Sequence, residues 1–167
     1  TSEAAKLTGL PEGTPVVAGG GDQGAGAVGN GVVREGPVLV TIGTSGVVFA
    51  CAQKPVADLR ARLHSFCHAS PGLWHTMGVT LSAGGSMQWL RNTLREAAPS
   101  LGYDELGRLA ESAPPGSDGV IFLPYMTGER TPHFDPAARG VFFGLSLARG
   151  LGHMARSVME GVAFSLA

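Results

Sequence analysis

The sequence predicts an α/β fold in which a mixed β-sheet is flanked by helices. Residues 37–52, PVLVTIGTSGVVFACA, contain two β-rich halves joined by a Gly-Thr-Ser-Gly turn, which is typical of a hairpin. Residues 73–81, LWHTMGVTL, are predicted to form a further strand, and a helical pattern follows them directly. This series of hairpin, strand and helix indicates helices packed on a sheet.

The amino-terminal third is rich in helix-breaking residues. Residues 1–14 are predicted to be the tail of a helix and a loop, and residues 15–19 to be the end of a buried strand. Three glycines then precede Asp22, and small residues follow it. We therefore expect Asp22 to lie at a strand-to-helix corner, with its carboxylate exposed in a crevice.

The middle of the chain contains a loop and an amphipathic helix. Residues 53–72 are polar and bounded by prolines, so they are predicted to be a loop. Ser82 is the expected N-cap of the next helix. Met87, Leu90 and Leu94 give that helix one apolar face.

The carboxyl-terminal part predicts two helices around a buried strand. A short helix is expected at residues 104–112, a strand at 120–123, a long loop after it, and a final helix from about His153. Four residues of the final helix are spaced for burial: Met154, Val158, Val162 and Leu166. Because this helix reaches Ala167 without a stop signal, we expect the chain to be a piece of a larger protein.

Composition excludes several classes of protein. The 167 residues are 44% apolar and only 15% charged, against about 25% charged in an average domain, and 26 are glycine. A net charge of −1 predicts no nucleic acid or acidic membrane as a partner. There is no bilayer-spanning apolar run and no signal-peptide pattern, so a cytoplasmic location is expected.

No metal site is predicted. Cys51 and Cys67 have no CxxC spacing and are interpreted as buried free thiols in a reducing compartment. The five histidines are interpreted as packing or loop residues: His64, His68, His75, His133 and His153. For Glu129 and Arg130, a local ion pair and an interface contact both remain open, with a structural role favoured.

Three glycine-flanked polar points are candidates for chemistry. Asp22 is either a helix cap or a base that accepts a hydroxyl proton. The turn of residues 43–46 is either a plain hairpin turn or a small concavity whose N–H groups and hydroxyls bind phosphate. Residues 82–88, SAGGSMQ, are either a tightly packed helix start or a ligand contact, with Gln88 one turn into the helix.

The order of these segments resembles one family of enzymes. Four stretches carry the resemblance: GGGDQGAGAVGNGVV, VTIGTSGVVFA, HSFCHASPGLWHTMGVTLSAGGSMQWL and FLPYMTGERTPHFDPAARGVFFGLSLARGLGHMARSVMEGVAF. Together they resemble the FGGY family of carbohydrate kinases across nearly the whole chain. Residues 140–161 match a family signature that includes His153, Ala155, Glu160 and Gly161.

The resemblance implies an actin-like, ribonuclease-H-like ATPase fold, here incomplete. Residues 1–31 would be the end of the amino-terminal domain and the interdomain segment, and residues 32–167 part of the nucleotide-binding carboxyl-terminal domain. It implies Asp22 as the catalytic base that also binds the substrate hydroxyl, with Gln23 beside it. The implied nucleotide contacts are Gly43, Thr44, Ser45, Gly46, Gly84 and Gln88, with ATP and Mg²⁺ as the cofactors and no protein metal ligand.

The resemblance also implies a sugar substrate. The segments HSFCHA and LPYMTGERTPH resemble family members that act on D-xylulose, a ketopentose, and a homodimer is compatible with the family. Ribulose, gluconate or glycerol as substrate, and a non-catalytic actin-like nucleotide-binding or assembly module, are the alternatives. Because the family's first phosphate loop and its adenine loop have no counterpart here, this chain alone is expected to be inactive.

Overall fold

The protein consists of two small sheets covered by helices, as seen in a computed structural model that describes residues 1–167. In chain order the elements are α1 (Ser2–Thr8), α2 (Asp22–Gly29), β1 (Val38–Ile42), β2 (Gly46–Ala52), β3 (His64–Cys67), β4 (Trp74–Thr80), α3 (Gly84–Leu94), α4 (Tyr103–Ser112), β5 (Ile121–Leu123), β6 (Val141–Phe143) and α5 (Leu151–Leu166). A single 3-10 turn, Ser117–Gly119, precedes β5. None of the helices has the length and hydropathy of a bilayer-spanning segment.

The larger sheet contains the predicted hairpin. Its strand order is β1-β2-β4-β3, and every neighbouring pair is antiparallel. Gly46 at the start of β2 pairs with Thr80 at the end of β4, so the hairpin turn lies beside the point where β4 leads into α3. The predicted hairpin, the strand of residues 73–81 and the helix after it are therefore confirmed.

Two short strands were not predicted, and one of them lies inside a predicted loop. β3 is a four-residue strand inside residues 53–72, and it pairs with β4. β6 is a three-residue strand after the long loop, and it pairs with β5 in a separate antiparallel sheet. No strand ladder in the chain is parallel.

The strand predicted at residues 15–19 is wrong. These residues form no regular element, and Val16 and Val17 are 93% and 84% exposed. A strand needs a neighbour to receive its backbone hydrogen bonds. No segment of this chain bonds to the backbone of residues 15–19.

The core is divided into two clusters of buried side chains. One cluster joins α3, α4, β5 and α5 and is made of Leu90, Leu101, Leu106, Ala110, Phe122, Ala155 and Val158. The other joins α2 to the larger sheet and is made of Ala27, Val32, Val47, Phe49, Cys51 and Val79. Cys51 is buried as predicted, whereas Cys67 is exposed because it lies on the edge strand β3.

A left-handed turn before β5 is held by α5. Residues 116–119 have φ values of 82°, 48°, 49° and 86°, which are unfavourable for the non-glycine residues Ser117 and Asp118. The Glu160 carboxylate accepts hydrogen bonds from the Gly116 N–H at 3.0 Å, the Ser117 hydroxyl at 3.3 Å and the Arg156 guanidinium at 2.8 Å. These contacts stabilise a backbone that would otherwise relax.

We expect the Glu160 contacts to make the folding stability of the protein depend on pH. Burial opposes ionisation of Glu160, but the Gly116 N–H and the Arg156 guanidinium outweigh it, so its pKa lies below its usual value of 4.5. Ionised Glu160 therefore stabilises the protein at neutral pH, and this stabilisation is lost as the pH falls below about 4.5 and through the lowered pKa. Glu160→Gln should cost about 1–2 kcal/mol of unfolding free energy at pH 7.

Urea unfolding at pH 7 and at low pH measures this difference. Protonated Glu160 resembles glutamine. The difference in unfolding free energy between the wild type and Glu160→Gln should therefore become smaller at low pH. Glu111→Gln, at an exposed carboxylate on α4 without a hydrogen bond, is the control. An equal difference in unfolding free energy at both pH values would show that the charge of Glu160 does not contribute to stability.

Candidate active site

Asp22 is the first residue of α2, directly after the N-cap residue Gly21. Its side chain is exposed, and its Oδ1 accepts a hydrogen bond from the Gln23 N–H at 2.9 Å. Asp22 is therefore not the N-cap that one interpretation predicted, although this bond occupies one of its carboxylate oxygens. Oδ2 makes no hydrogen bond within the chain, so it is free to accept one from a ligand hydroxyl.

His68 helps to fix where α2 lies. Its Nε2 is 3.0 Å from the Val32 carbonyl oxygen, just after α2, and its Nδ1 accepts a hydrogen bond from the Ser70 N–H at 2.9 Å. Because Nδ1 accepts, the proton is on Nε2 and is donated to Val32. Together with the buried Ala27, this bond attaches α2 to the larger sheet, and the predicted structural role of His68 is confirmed.

In the turn of residues 43–46, the carbonyl oxygens of Gly43 and Thr44 are hydrogen-bonded to the start of α3, whereas the N–H groups of Thr44 and Ser45 are unpaired. The carbonyl oxygen of Gly43 accepts from the Gly84 N–H at 2.9 Å, and that of Thr44 accepts from the N–H groups of Ala83 and Gly85 at 2.8 and 3.0 Å. The N–H groups of Thr44 and Ser45 and the Thr44 hydroxyl make no hydrogen bond within the chain. Unpaired donors of this kind suit a phosphate oxygen.

The start of α3 differs from the prediction in two respects. Ala83 is the N-cap, not Ser82, because the Ser82 hydroxyl is instead 3.2 Å from the Thr127 hydroxyl. The N–H groups of Gly84 and Gly85 are bonded to the turn and are not open to an anion. A Cβ on Gly84 would lie 2.6 Å from the Gly43 carbonyl oxygen, so this close contact requires glycine.

A shallow cavity of about 390 Å³ lies between the turn and α3. Its lining consists of Ile42, Gly43, Thr44, Gly84, Gly85, Met87, Gln88 and Tyr103. Four of the six predicted nucleotide contacts are therefore brought together, although the sequence separates them by up to 45 positions. The Gln88 side chain is exposed and makes no hydrogen bond within the chain, so its amide is available to a ligand.

The other predicted residues lie outside this cavity. Ser45 is not part of the lining, and Gly46 is buried where a Cβ would lie 2.8 Å from Leu166. Asp22 and Gln23 also lie outside it. Tyr103, at the start of α4, lines the cavity but was missed, because nothing in the sequence connects it to the glycine motifs.

Glu129 is a buried structural residue. It is 2% exposed, and its carboxylate accepts hydrogen bonds from the Thr80 hydroxyl at 2.7 Å and from the N–H groups of Leu81 and Arg130 at 3.1 and 2.7 Å. The interpretation as a local ion pair is wrong, because the Arg130 side chain is exposed and does not pair with Glu129. Glu129 instead attaches the long loop to the end of β4, four residues before Gly84.

No group of three metal-ligating side chains is close enough to hold one ion. His153 lies 3.4 Å from the Asp118 carboxylate, and His133 lies 3.0 Å from the Tyr125 hydroxyl. The predicted interpretation of these histidines as packing or loop residues is therefore consistent with their surroundings. Both cysteines are free thiols.

Comparison with known proteins places the chain among sugar kinases. Residues 38–167 match the FGGY family of carbohydrate kinases, C-terminal domain. The chain is 45% identical to the xylulose kinase of Escherichia coli over 168 aligned residues, covering 99% of this chain and 33% of that protein. It is 37% identical to the gluconokinase of Bacillus subtilis, covering 98% of this chain and 33% of that protein.

The fold agrees with solved structures of the same enzymes. The crystal structure of xylulose kinase from Rhodospirillum rubrum superposes with a TM-score of 0.85 at 38% identity, covering 99% of this chain and 33% of that one. The predicted actin-like fold is confirmed by this likeness. The chain spans about one third of the length of the relatives that it matches.

Proposed function

The chain belongs to the FGGY family of carbohydrate kinases, and from this premise we propose that it is part of an ATP-dependent D-xylulose kinase. The whole enzyme transfers the γ-phosphoryl group of ATP to a hydroxyl of D-xylulose and gives D-xylulose 5-phosphate. The identity of 45% to a xylulose kinase supports the choice of sugar, and the structural observation that supports the nucleotide is the cavity between the 43–46 turn and α3. Its lining combines the unpaired Thr44 donors with the exposed Gln88 amide, whereas Asp22 stands apart at the start of α2.

We assign the nucleotide to this cavity. Phosphoryl transfer depends on positioning and on stabilisation of the charge on the phosphoryl oxygens. The N–H groups of Thr44 and Ser45 and the Thr44 hydroxyl are fixed donors for those oxygens, because the turn that carries them is hydrogen-bonded to α3. Fixed donors do not have to reorganise when the phosphates arrive.

We assign the sugar hydroxyl to Asp22. Its Oδ2 is free while Oδ1 is held by the Gln23 N–H, so the carboxylate has one defined orientation and one open acceptor. A carboxylate in this position orients the hydroxyl and takes its proton as the bond to phosphorus forms. Gln23, on the same helix turn, is the proposed second contact to the sugar.

We propose that Mg²⁺ enters with ATP. Mg²⁺ in phosphoryl transfer is bound mostly by phosphate oxygens and water, with one or two carboxylates at most. The metal would neutralise charge on the β- and γ-phosphates, and the protein donors described above would orient them.

The domain assignment follows from the same proposal. Residues 1–31 are assigned to the end of the amino-terminal domain and the interdomain segment, and residues 32–167 to the carboxyl-terminal domain. The match of residues 38–167 to the family's carboxyl-terminal domain supports the second part. A cytoplasmic, homodimeric enzyme is the form that we propose for the whole protein.

Assays of two proteins test the proposal. This chain and the full-length protein that contains it are compared for ATP-dependent phosphorylation of D-xylulose. We expect activity only in the full-length protein, because closure of two domains completes such a site and excludes water. Activity in neither, with the full-length protein folded, would contradict the choice of D-xylulose.

Gluconate is the second candidate substrate. The 37% identity to a gluconokinase across nearly the whole chain favours it over ribulose and glycerol. A substrate panel on the full-length protein compares kcat/KM for the four compounds.

A non-catalytic assembly module is the remaining alternative. It predicts that the folded full-length protein turns over none of them and forms concentration-dependent assemblies in sedimentation.

A further inference from the structure

We propose that Tyr103 is the platform on which the base of the nucleotide stacks. The inference rests on the proposed function, since it assigns a further binding residue to the same cavity. Tyr103 is the only aromatic residue in the lining. Tyr103 is 46% exposed, and its hydroxyl makes no hydrogen bond within the chain.

The cavity lining combines polar and apolar groups. The backbone of Gly43 and Thr44 supplies polar groups, whereas Ile42, Met87 and Tyr103 are the large apolar groups of the lining. Gly84 and Gln88 lie one helical turn apart on α3, a rise of about 6 Å. A nucleotide also combines a charged phosphate chain with a flat, largely apolar base, so the lining offers groups for both parts of the ligand.

Arg91 orients the Tyr103 ring. Its guanidinium carbon lies 4.4 Å from the ring centroid, which is a cation–π contact between α3 and α4. Arg91 is not among the residues that line the cavity, and Tyr103 remains 46% exposed, so part of its ring is accessible to a ligand. An aromatic ring held in this way stacks a base with little loss of side-chain freedom, and such stacking is favourable for every base.

The size of the cavity agrees with this ligand. Its volume of about 390 Å³ is within the range of small-molecule sites, which is about 300–1,000 Å³. The cavity is open on one side, so a nucleotide would be held between the turn, α3 and the Tyr103 ring. The base is then the part of the ligand that requires a contact surface, and the Tyr103 ring is placed to provide it.

Calorimetric titration of the full-length protein with ADP and with inorganic tripolyphosphate tests the inference. The variants are Tyr103→Ala and Tyr103→Phe, with Arg108→Ala as the control on the exposed side of the same helix. For Tyr103→Ala we expect the Kd of ADP to rise about tenfold or more, as loss of a base–aromatic stack predicts. Tyr103→Phe and Arg108→Ala should keep the wild-type Kd within about threefold, and tripolyphosphate should bind all variants alike.

A spectroscopic readout separates stacking from a structural role. In Tyr103→Trp, ADP should quench the added indole fluorescence relative to the wild type, and tripolyphosphate should not. An unchanged ADP affinity in Tyr103→Ala, or an equal loss of both ligands, overturns the inference while the proposed function stands. If the folded wild-type protein binds no nucleotide, the proposed function itself has failed.

Discussion

Asp22→Asn in the full-length protein should lower kcat by about 100- to 10,000-fold, the range that a positioned general base contributes. Asparagine has nearly the same shape, and its oxygen still accepts the hydrogen bond from the Gln23 N–H. The start of α2 is therefore preserved, but the side chain no longer takes up a proton. Steady-state kinetics with D-xylulose and ATP measures the effect.

A matched control for Asp22 exists in the same chain. Asp104 is also an exposed aspartate in the first turn of a helix, and it lies outside the candidate nucleotide cavity. Asp104→Asn should keep kcat within about twofold of the wild type, with an equally small change in unfolding free energy. Full turnover by Asp22→Asn would remove Asp22 from the mechanism.

Gly161→Ala should lower the free energy of unfolding by about 3 kcal/mol, at the upper end of the usual cost of overpacking. A Cβ on Gly161 would collide with the carbonyl oxygen of Phe122 on β5. That oxygen belongs to the backbone and cannot turn away as a side chain would. Helix α5 would have to move off β5, which would open the core around Val158 and Phe122.

Urea unfolding of Gly161→Ala and of a second glycine variant checks this expectation. Gly107 is also a helical glycine, but a Cβ there meets no atom within 4 Å. Gly107→Ala should therefore stabilise the protein, by about 0.5–1 kcal/mol. If both variants behaved alike, helix propensity rather than the contact with β5 would be deciding the result.

Elements with strong periodicity or turn chemistry could be predicted from the sequence. The hairpin of β1 and β2 has a glycine-rich turn between two β-rich halves, and α5 has apolar residues at helical spacing. The short strands β3 and β6 could not be predicted, because three or four residues contain no full period. The strand predicted at residues 15–19 was wrong for another reason. A strand also requires a hydrogen-bonding neighbour, which an apolar sequence does not reveal.

The candidate site divides in the same way. Asp22, Thr44 and Gln88 stand in local glycine-rich motifs to which the family resemblance assigned roles, and the structure places Thr44 and Gln88 at one cavity. Tyr103 belongs to no motif and reaches the cavity only through the packing of α4 beside α3. The orientation of the 43–46 turn was equally hidden, because which backbone groups remain unpaired depends on the contact with Gly84.

The attachment of both α2 and the 43–46 turn to one sheet limits how the proposed enzyme can move. Ala27 anchors α2 on β2 and β4, and the turn is the connection between β1 and β2. The proposed base and the proposed phosphate donors are therefore attached to the same sheet, and their separation would not depend on the ligands. In the proposed mechanism, domain closure would then deliver the sugar hydroxyl to a geometry that already exists.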